Sequence, residues 1–314
     1  MIVFLVFALF LISIPVMELY FGLKWIALKG GKRKPSAGFR RFVLIINILF
    51  LLEAWGVYDA FLIEPNRLTE THIPLRNAKL HNPNARIRIV QITDLHIEGP
   101  GPSPVLARIT KRVAELKPDF IALTGDFMNN DTPEAHRILG AFLKSLHART
   151  ASYAIRGNWD YDNNPDAELR AAGVVSIDHH IKTHYIAGAR INFAGTVIKN
   201  LRRRLSAPEN RDTVNVVLEH YPDYIYDVSG PNVDYYFCGH THGGQVRLPF
   251  YGALTTLAKY GKRFEMGPYK VNGTYMYISR GVGMTGMSIF KIRFNCPPEL
   301  VVYDIVSPRY QKPF

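Results

Sequence analysis

Cysteine is nearly absent from this 314-residue chain, which has only Cys238 and Cys296. No Cys-x-x-Cys pair exists, so a structural zinc site of that kind is excluded, and two cysteines build no disulfide framework. Internal repeats and low-complexity tracts are also missing, which excludes solenoids, propellers and biased disordered segments. Acidic residues are in short supply: 26 Asp and Glu stand against 38 Lys and Arg, for a net charge of +12. Residues 1–63 carry seven basic and three acidic residues, leaving +8 on the remainder. A basic soluble part suits an anionic partner such as a phosphate substrate, an acidic membrane surface or nucleic acid. With 47% hydrophobic residues, the chain can bury one large core and support an accessory piece.

Long apolar runs are present, and both lie at the start. Residues 2–23 contain a single acid, Glu18, and residues 42–63 contain Glu53 and Asp59 in their far half. Each is about the length a helix needs to cross a bilayer core. Tyr20 and Trp25 near one end, and Trp55 and Tyr58 near the other, suit interfacial belts. Residues 29–41 between them hold six positive charges and no acid. The first run lacks the basic start and small-residue cleavage site of a signal peptide. Residues 1–63 are therefore expected to form a transmembrane helical hairpin in a bacterial cytoplasmic (inner) membrane. The basic loop then faces the cytoplasm, and both termini face outward. Residues 64–85 read as linker and entry strand, and residues 86–314 as the soluble domain.

The soluble part begins with alternating elements. Residues 86–93 and 119–124 read as buried strands, 103–116 and 132–147 as helices, 153–156 as a third strand and 166–172 as a short helix. Ser103 is a plausible N-cap, and Pro133 sits in a first turn. Residues 174–198, 214–219, 235–238, 276–279 and 300–305 then read as strands with little helix between them. An α/β start followed by a β-rich half points to stacked sheets with outer helices.

Five short motifs follow strands: Asp94-Leu95-His96, Gly125-Asp126, Gly157-Asn158-Trp159-Asp160, Glu219-His220 and Gly239-His240-Thr241-His242. Ligands bind at carboxyl ends of strands in sheets with crossover helices. Asp and His together suit borderline divalent metals, and a spacing of two brings both side chains to one side of an extended segment. One Asp or His at a strand end is usually a turn residue or a satisfied polar group. Five in order point to a dinuclear site, in which two cations about 3.5–4 Å apart share a carboxylate and activate a water.

This pattern resembles that of the calcineurin-like metallophosphoesterases, which runs D-x-H, G-D, G-N-H-D/E, H, G-H-x-H. The resemblance spans nearly all of the soluble part. Residues 239–245 and 279–300 look like the bacterial branch of membrane-linked phosphodiesterases, with a likeness to the chlamydial type of UDP-2,3-diacylglucosamine diphosphatase. It implies an α/β four-layer sandwich, two mixed β-sheets flanked by helices, behind the two-helix hairpin. One metal falls to Asp94, His96 and His242, the second to Asn158, His220 and His240, and Asp126 bridges them. Asp126, Asn158 and His240 are the implied catalytic positions. The cofactors implied are two divalent ions, Mn, Fe or Zn, with Mn favoured.

One position departs from the family pattern. Where His usually follows the Asn, this chain has Trp159. Indole donates a hydrogen bond but supplies no proton. Loss of a general acid matters most when the leaving group is an alkoxide and least when it is already a phosphate. The expected substrate is therefore a diphosphate in a lipid-linked nucleotide sugar, as in lipid A synthesis, cleaved by metal-activated hydroxide. Such a substrate requires the domain on the cytoplasmic side, opposite to the side that the charge of residues 29–41 favours, so the two readings of orientation conflict. The alternatives are a general phosphodiesterase or phosphatase on the outer membrane face, and a non-catalytic metal-bound membrane protein. Retention of all seven ligand positions weighs against the last. Expected partners are a phosphorylated lipid or nucleotide-diphosphate substrate and membrane lipids, with no nucleic acid. Asn129, Trp159, Arg202, Arg203 and Arg204 are the candidate substrate contacts. Residues 248–251, with Lys259, Lys262 and Arg263 after them, are a candidate acyl-chain or bilayer contact. His179 and His180 match no motif and read as structural or surface residues.

Overall fold

The computed structural model describes residues 2–31, 34–99, 101, 103–197, 199–286 and 291–312, with side chains from residue 12 onward. Lys32 and Arg33 of the basic loop lie outside the described residues. The chain divides into two compact units, Met1–Ile63 and Glu64–Phe314.

The first unit is two helices, α1 (Ile2–Gly30) and α2 (Ala37–Tyr58), followed by a π turn at Asp59–Ile63. Ser36 caps α2, its hydroxyl accepting the Phe39 N–H at 3.2 Å. Phe21 of α1 packs edge-on against Phe42 of α2, with centroids 4.8 Å apart. The outward faces are apolar: Leu19 and Leu51 are each 65% exposed. Two helices thus form where two were expected. Among the described residues, one helical run is long and apolar enough to cross a membrane, Ala37–Asn66.

The second unit holds two six-stranded mixed sheets. In the first, β1 (Thr69–Arg76) pairs in parallel with β14 (Glu299–Val306), which runs antiparallel to β2 (Arg86–Ile92). Then β3 (Phe120–Thr124), β4 (Ala151–Ile155) and β5 (Val175–Ser176) follow in parallel. The second sheet runs β12 (Gly267–Val271), β13 (Thr274–Ile278), β9 (Tyr235–Cys238), β8 (Thr213–Leu218), β7 (Ala189–Gly195) and β6 (Ile181–Ile186). Its inner strands β13, β9, β8 and β7 are parallel, and its edge strands are antiparallel.

Period-two patterning places the layers. In β2, Ile87 and Ile89 face the space between the sheets, while Val90 and Ile92 face α3 (Pro104–Leu116) and α4 (Pro133–Ser145). Both helices bury one apolar stripe there: Val105, Ile109 and Val113 from α3, and Ile138, Leu139 and Phe142 from α4. Ser103 and Thr132 cap them through their hydroxyls. On the far side, Leu201 and Leu205 of α6 (Leu201–Leu205) and Ile225 and Val228 of α7 (Ile225–Val228) pack against Val217, Tyr236 and Met276. The short α5 (Asp166–Ala171) buries Leu169 with the α3–α4 layer. The result is helix, sheet, sheet, helix.

Three readings change. The run 174–198 is not one strand. It holds β5 and a hairpin of β6 and β7 closed by Ala187 and Gly188, both at positive φ (52° and 77°). β1, in the stretch read as linker and entry strand, and β12 are edge strands with half-exposed, polar sequences containing Pro74 and Pro268. They lack an apolar signal because one flank or face needs none. β10 (Arg247–Leu248) and β11 (Gly252–Ala253) form a small separate ribbon.

Gln91 is fully buried between the sheets. Its amide donates to Thr124 Oγ1 at 2.9 Å and to the Cys238 carbonyl at 3.0 Å, and its oxygen accepts the Tyr303 hydroxyl at 2.6 Å. It ties β2, β3 and β14 to β9 directly beneath the loops that carry the polar motifs. Gln91→Leu strands these groups without partners, so it is expected to destabilise the domain by about 1–3 kcal/mol, seen as a lowered thermal unfolding midpoint of the purified full chain.

Candidate metal centre

The polar motifs leave the carboxyl ends of β2, β3, β4, β8 and β9, and the two sheets bring those ends together. Asp94, His96 and His242 offer one ligand atom each within 4.8 Å of one another, and Asp126, His220 and His240 do the same. All six are buried. Asp126 lies between the groups, its Oδ2 3.4 Å from His96 Nε2 and 3.1 Å from His220 Nε2. The first group holds the residues expected on one metal, and the second holds His220 and His240 together with Asp126. Asn158 Oδ1 is buried with no hydrogen-bond partner.

The hydrogen-bond partners decide which ring atoms face inward. His220 Nδ1 is 2.8 Å from the Thr124 carbonyl, so Nδ1 donates its hydrogen there and Nε2 is left to face Asp126. His96 Nδ1 is 2.6 Å from Asn129 Oδ1. The Asn129 amide nitrogen donates to Glu98 at 2.7 Å, which fixes the amide orientation and makes its oxygen the acceptor. His96 Nε2 therefore faces inward bare, 3.1 Å from His242 Nε2, and His240 Nδ1 lies 3.2 Å from His220 Nε2. Apart from the proton between His220 Nε2 and Asp126, this leaves the inward nitrogen of His96 facing the neighbouring rings with nothing to donate. Such a set is stable around cations, and the donor chemistry fits borderline divalent metals.

Electrostatics agree with that fit. Burial holds His96 and His240 down to about 4, and His242 well below the usual range. All three are neutral near pH 7, the form that ligates. Burial pushes Asp94 up to about 7. Burial also opposes charge on His220, but the Asp126 carboxylate beside it outweighs this and raises it to about 10. A divalent cation on Nε2 takes the place of that proton.

The backbone at the site is unusual. Asp94, His96, Asp126, His240 and His242 all have positive φ, between 44° and 69°. This region is costly for side chains other than glycine and clusters at functional sites. The candidate ligands themselves thus carry much of the strain. Gly157 and Gly239 serve close approach: a Cβ on Gly157 would strike the Asp126 carboxylate, and one on Gly239 would strike that of Asp94.

Asp160 has a role that its motif position alone does not reveal. Its carboxylate accepts the N–H groups of Asp126 at 2.7 Å, Gly157 at 2.7 Å and Phe127 at 2.9 Å. It thereby clamps the β3 and β4 loops together. Arg293, fully buried, donates to the carbonyls of Arg280, Gly281, Gly283 and Cys296. This holds the 280–296 segment against Asp94, whose carbonyl accepts the Gly283 N–H at 2.6 Å. No signal in the sequence marks Arg293, because its partners are all backbone.

The expected substrate contacts separate. Trp159 stands beside the cluster, its ring edge-on to His96 with centroids 5.7 Å apart. Asn129 is committed to His96, Glu98 and the Met284 carbonyl. Arg202, Arg203 and Arg204 lie exposed on α6, away from the six clustered side chains. Arg202 and Arg203 line a surface cavity of about 550 Å³. It shares Thr196, Asp227 and Val228 with a second cavity of about 310 Å³, which contains Arg156, Tyr161, Glu219, Tyr221 and Tyr224. Glu219 and Tyr221 flank His220, so this cavity adjoins the cluster. His179 and His180 are exposed and outside it.

A family model described as calcineurin-like phosphoesterase matches residues 87–244. The metallophosphoesterase YkuE of Bacillus subtilis, described as uncharacterized, is 30% identical over 271 residues, covering 82% of this chain and 92% of that protein. UDP-2,3-diacylglucosamine pyrophosphatase LpxG of Chlamydia trachomatis is 28% identical, covering 76% of this chain and 89% of that one. Phosphodiesterase YaeI of Escherichia coli is 26% identical, covering 71% and 83%.

Metal uptake by the chelated chain is expected to release protons, chiefly from His220. Affinity should therefore strengthen as pH rises from 6 to 8, by about tenfold per pH unit for each proton released. Calorimetry in buffers of different ionisation enthalpy checks this, and a pH-independent affinity would contradict it.

Proposed function

Because the chain belongs to the calcineurin-like phosphoesterase family and is a metal-dependent phosphohydrolase, we propose that it is membrane-anchored and prefers a diphosphate or another good leaving group. Residues 1–63 are the anchor, with two spanning helices and the basic loop 29–41. Residues 86–314 are the catalytic domain, joined by residues 64–85. Asp94, His96 and His242 would hold one metal, Asn158, His220 and His240 the other, and Asp126 would bridge them. Two divalent cations supply Lewis acidity, lowering the pKa of water and neutralising phosphate oxygens.

The observation that carries the substrate reading is Trp159. Its indole occupies the position of the family's imidazole and packs on His96. An indole can donate a hydrogen bond, but it transfers no proton. Asp160, the usual partner of that imidazole, is taken up by three backbone N–H groups. A leaving group that departs as phosphate needs no proton donor. LpxG, by its name, acts on such a bond. A UDP-2,3-diacylglucosamine-like substrate would place its diphosphate at the metals and its base among Tyr161, Tyr221 and Tyr224, whose cavity is of suitable size. The general phosphodiesterase reading is favoured by the kinship to YaeI.

The purified chain with Mn is expected to hydrolyse a diphosphate faster than an unactivated alkyl diester. Trp159→His should raise the alkyl-diester rate by about 10²–10⁴ and barely change the diphosphate rate. A native chain faster on the alkyl diester would refute the preference. The basic loop predicts an outward-facing domain, so a C-terminal alkaline phosphatase fusion should be active. That result excludes a cytoplasmic nucleotide sugar and leaves a lipid-linked diphosphate at the outer face. An inactive fusion paired with a fluorescent cytoplasmic reporter reverses both conclusions.

A further inference from the structure

The 247–264 segment follows directly from the His240–His242 motif and is held rigidly against it. Arg247 Nη1 donates to the Gly243 carbonyl at 2.8 Å and pairs with Glu265 at 2.9 Å. Lys262 pairs with the other oxygen of Glu265 at 2.6 Å and donates to the carbonyls of Tyr251 and Ala253. Thr241, between the two histidines, donates to the Glu265 carbonyl at 2.6 Å. At the tip of this braced ribbon, Phe250 is fully exposed and sits at φ 63°. An aromatic residue in the left-handed region is an outlier that local packing does not reward here. Farther along, Leu257 is 58% exposed, while its backbone carbonyl meets the His240 ring. One segment thus carries bare apolar side chains at its surface and touches the metal cluster at its base.

Charge surrounds the apolar tip. Residues 247–272 contain five basic residues and one acid, and that acid, Glu265, is consumed internally. The side chains of Lys259 and Arg263 are exposed and, among the described residues, make no ion pair, while the Lys259 backbone N–H donates to the Asp223 carboxylate at 2.9 Å. They lie against the rings of Tyr260 and Tyr226 instead. Apolar tips ringed by tyrosine and unpaired cations match the acyl boundary and anionic headgroups of a bilayer. Arg67, four positions after Ile63 in the sequence, lines the same cavity as Leu248 and Phe250 and adds a further cation beside the tip.

We propose that the Phe250–Leu257 ribbon docks into an anionic bilayer surface and brings the metal cluster to amphiphilic phosphate substrates held there. This rests on the membrane-anchored reading above, but not on the diphosphate preference. The test uses the full chain in proteoliposomes containing phosphatidylglycerol, with nitroxides at Phe250→Cys, Leu257→Cys and, as reference, the exposed Tyr185→Cys of β6. Collision with oxygen and with a water-soluble nickel chelate should report lipid at 250 and 257 and water at 185. Water at 250 and 257, or the same reading at all three sites, overturns the docking. As a second measure, Phe250→Asp combined with Lys259→Glu should raise KM for a vesicle-borne phosphodiester about tenfold. Turnover of soluble bis(4-nitrophenyl) phosphate is followed in parallel as the folding control. An equal loss on both substrates overturns the delivery role. A failed diphosphate preference with lipid readings at 250 and 257 refutes only the substrate reading.

Discussion

The cluster is organised around one buried charge pair. Protonated His220 donates from Nε2 to the Asp126 carboxylate at 3.1 Å, and the neutral rings of His96, His240 and His242 crowd in beside it. That crowding does not stabilise itself, so the surrounding structure has to impose it. Thr124 and Asn129 each take up the outer ring hydrogen of a histidine and thereby fix which nitrogen faces inward. Asp160 collects three N–H groups that would otherwise free the Asp126 loop. Arg293 gathers the carbonyls of the segment laid over Asp94. The left-handed backbone at five of the candidate ligands is a further cost accepted for the same purpose. Cations convert this imposed crowding into affinity, which explains why so much of the fold beneath the site is devoted to rigidity.

Much of this was legible in the sequence. Buried parallel strands announce themselves as apolar runs, and β2, β3, β8 and β9 lie within a residue or two of where patterning puts them. The motifs at their ends were readable for the same reason: a strand that stops at an Asp or His leaves that residue at a predictable place. Edge strands β1 and β12 were harder, since half-exposed strands containing proline carry weak signals. The second layer was largely invisible. Arg293 and Asp160 act through backbone groups, and Gln91 through a hydroxyl on a strand more than two hundred positions away. No spacing rule reports such partners. For Asn129 the structure adds a partner that its place after Asp126 did not suggest, the His96 ring, and it sets the three arginines on α6.

Trp159 and the 247–264 ribbon bear on the same question from two sides. In the function proposed above, Trp159 bears on which bond is cleaved readily, because an indole has no proton to give. The ribbon bears on where the proposed substrate waits. The two features are independent, since Trp159 stands on the β4 loop and the ribbon extends from β9. A relative with histidine at the first position and the same ribbon would keep the location and change the chemistry.

The pairing of β1 with β14 has a consequence in time. Thr69 bonds to Pro298, 229 residues away, and the intervening chain must be made before either β1 or the exposed flank of β2 finds its partner. Loop closure on that scale is slow, and strands with open edges are exposed while they wait. The segment laid over Asp94 and the strand that completes the first sheet are both made after all six clustered side chains. The ligand positions therefore exist before the sheet that spaces them is closed and before their cover arrives, so the cluster is the last part of this domain to take its final form.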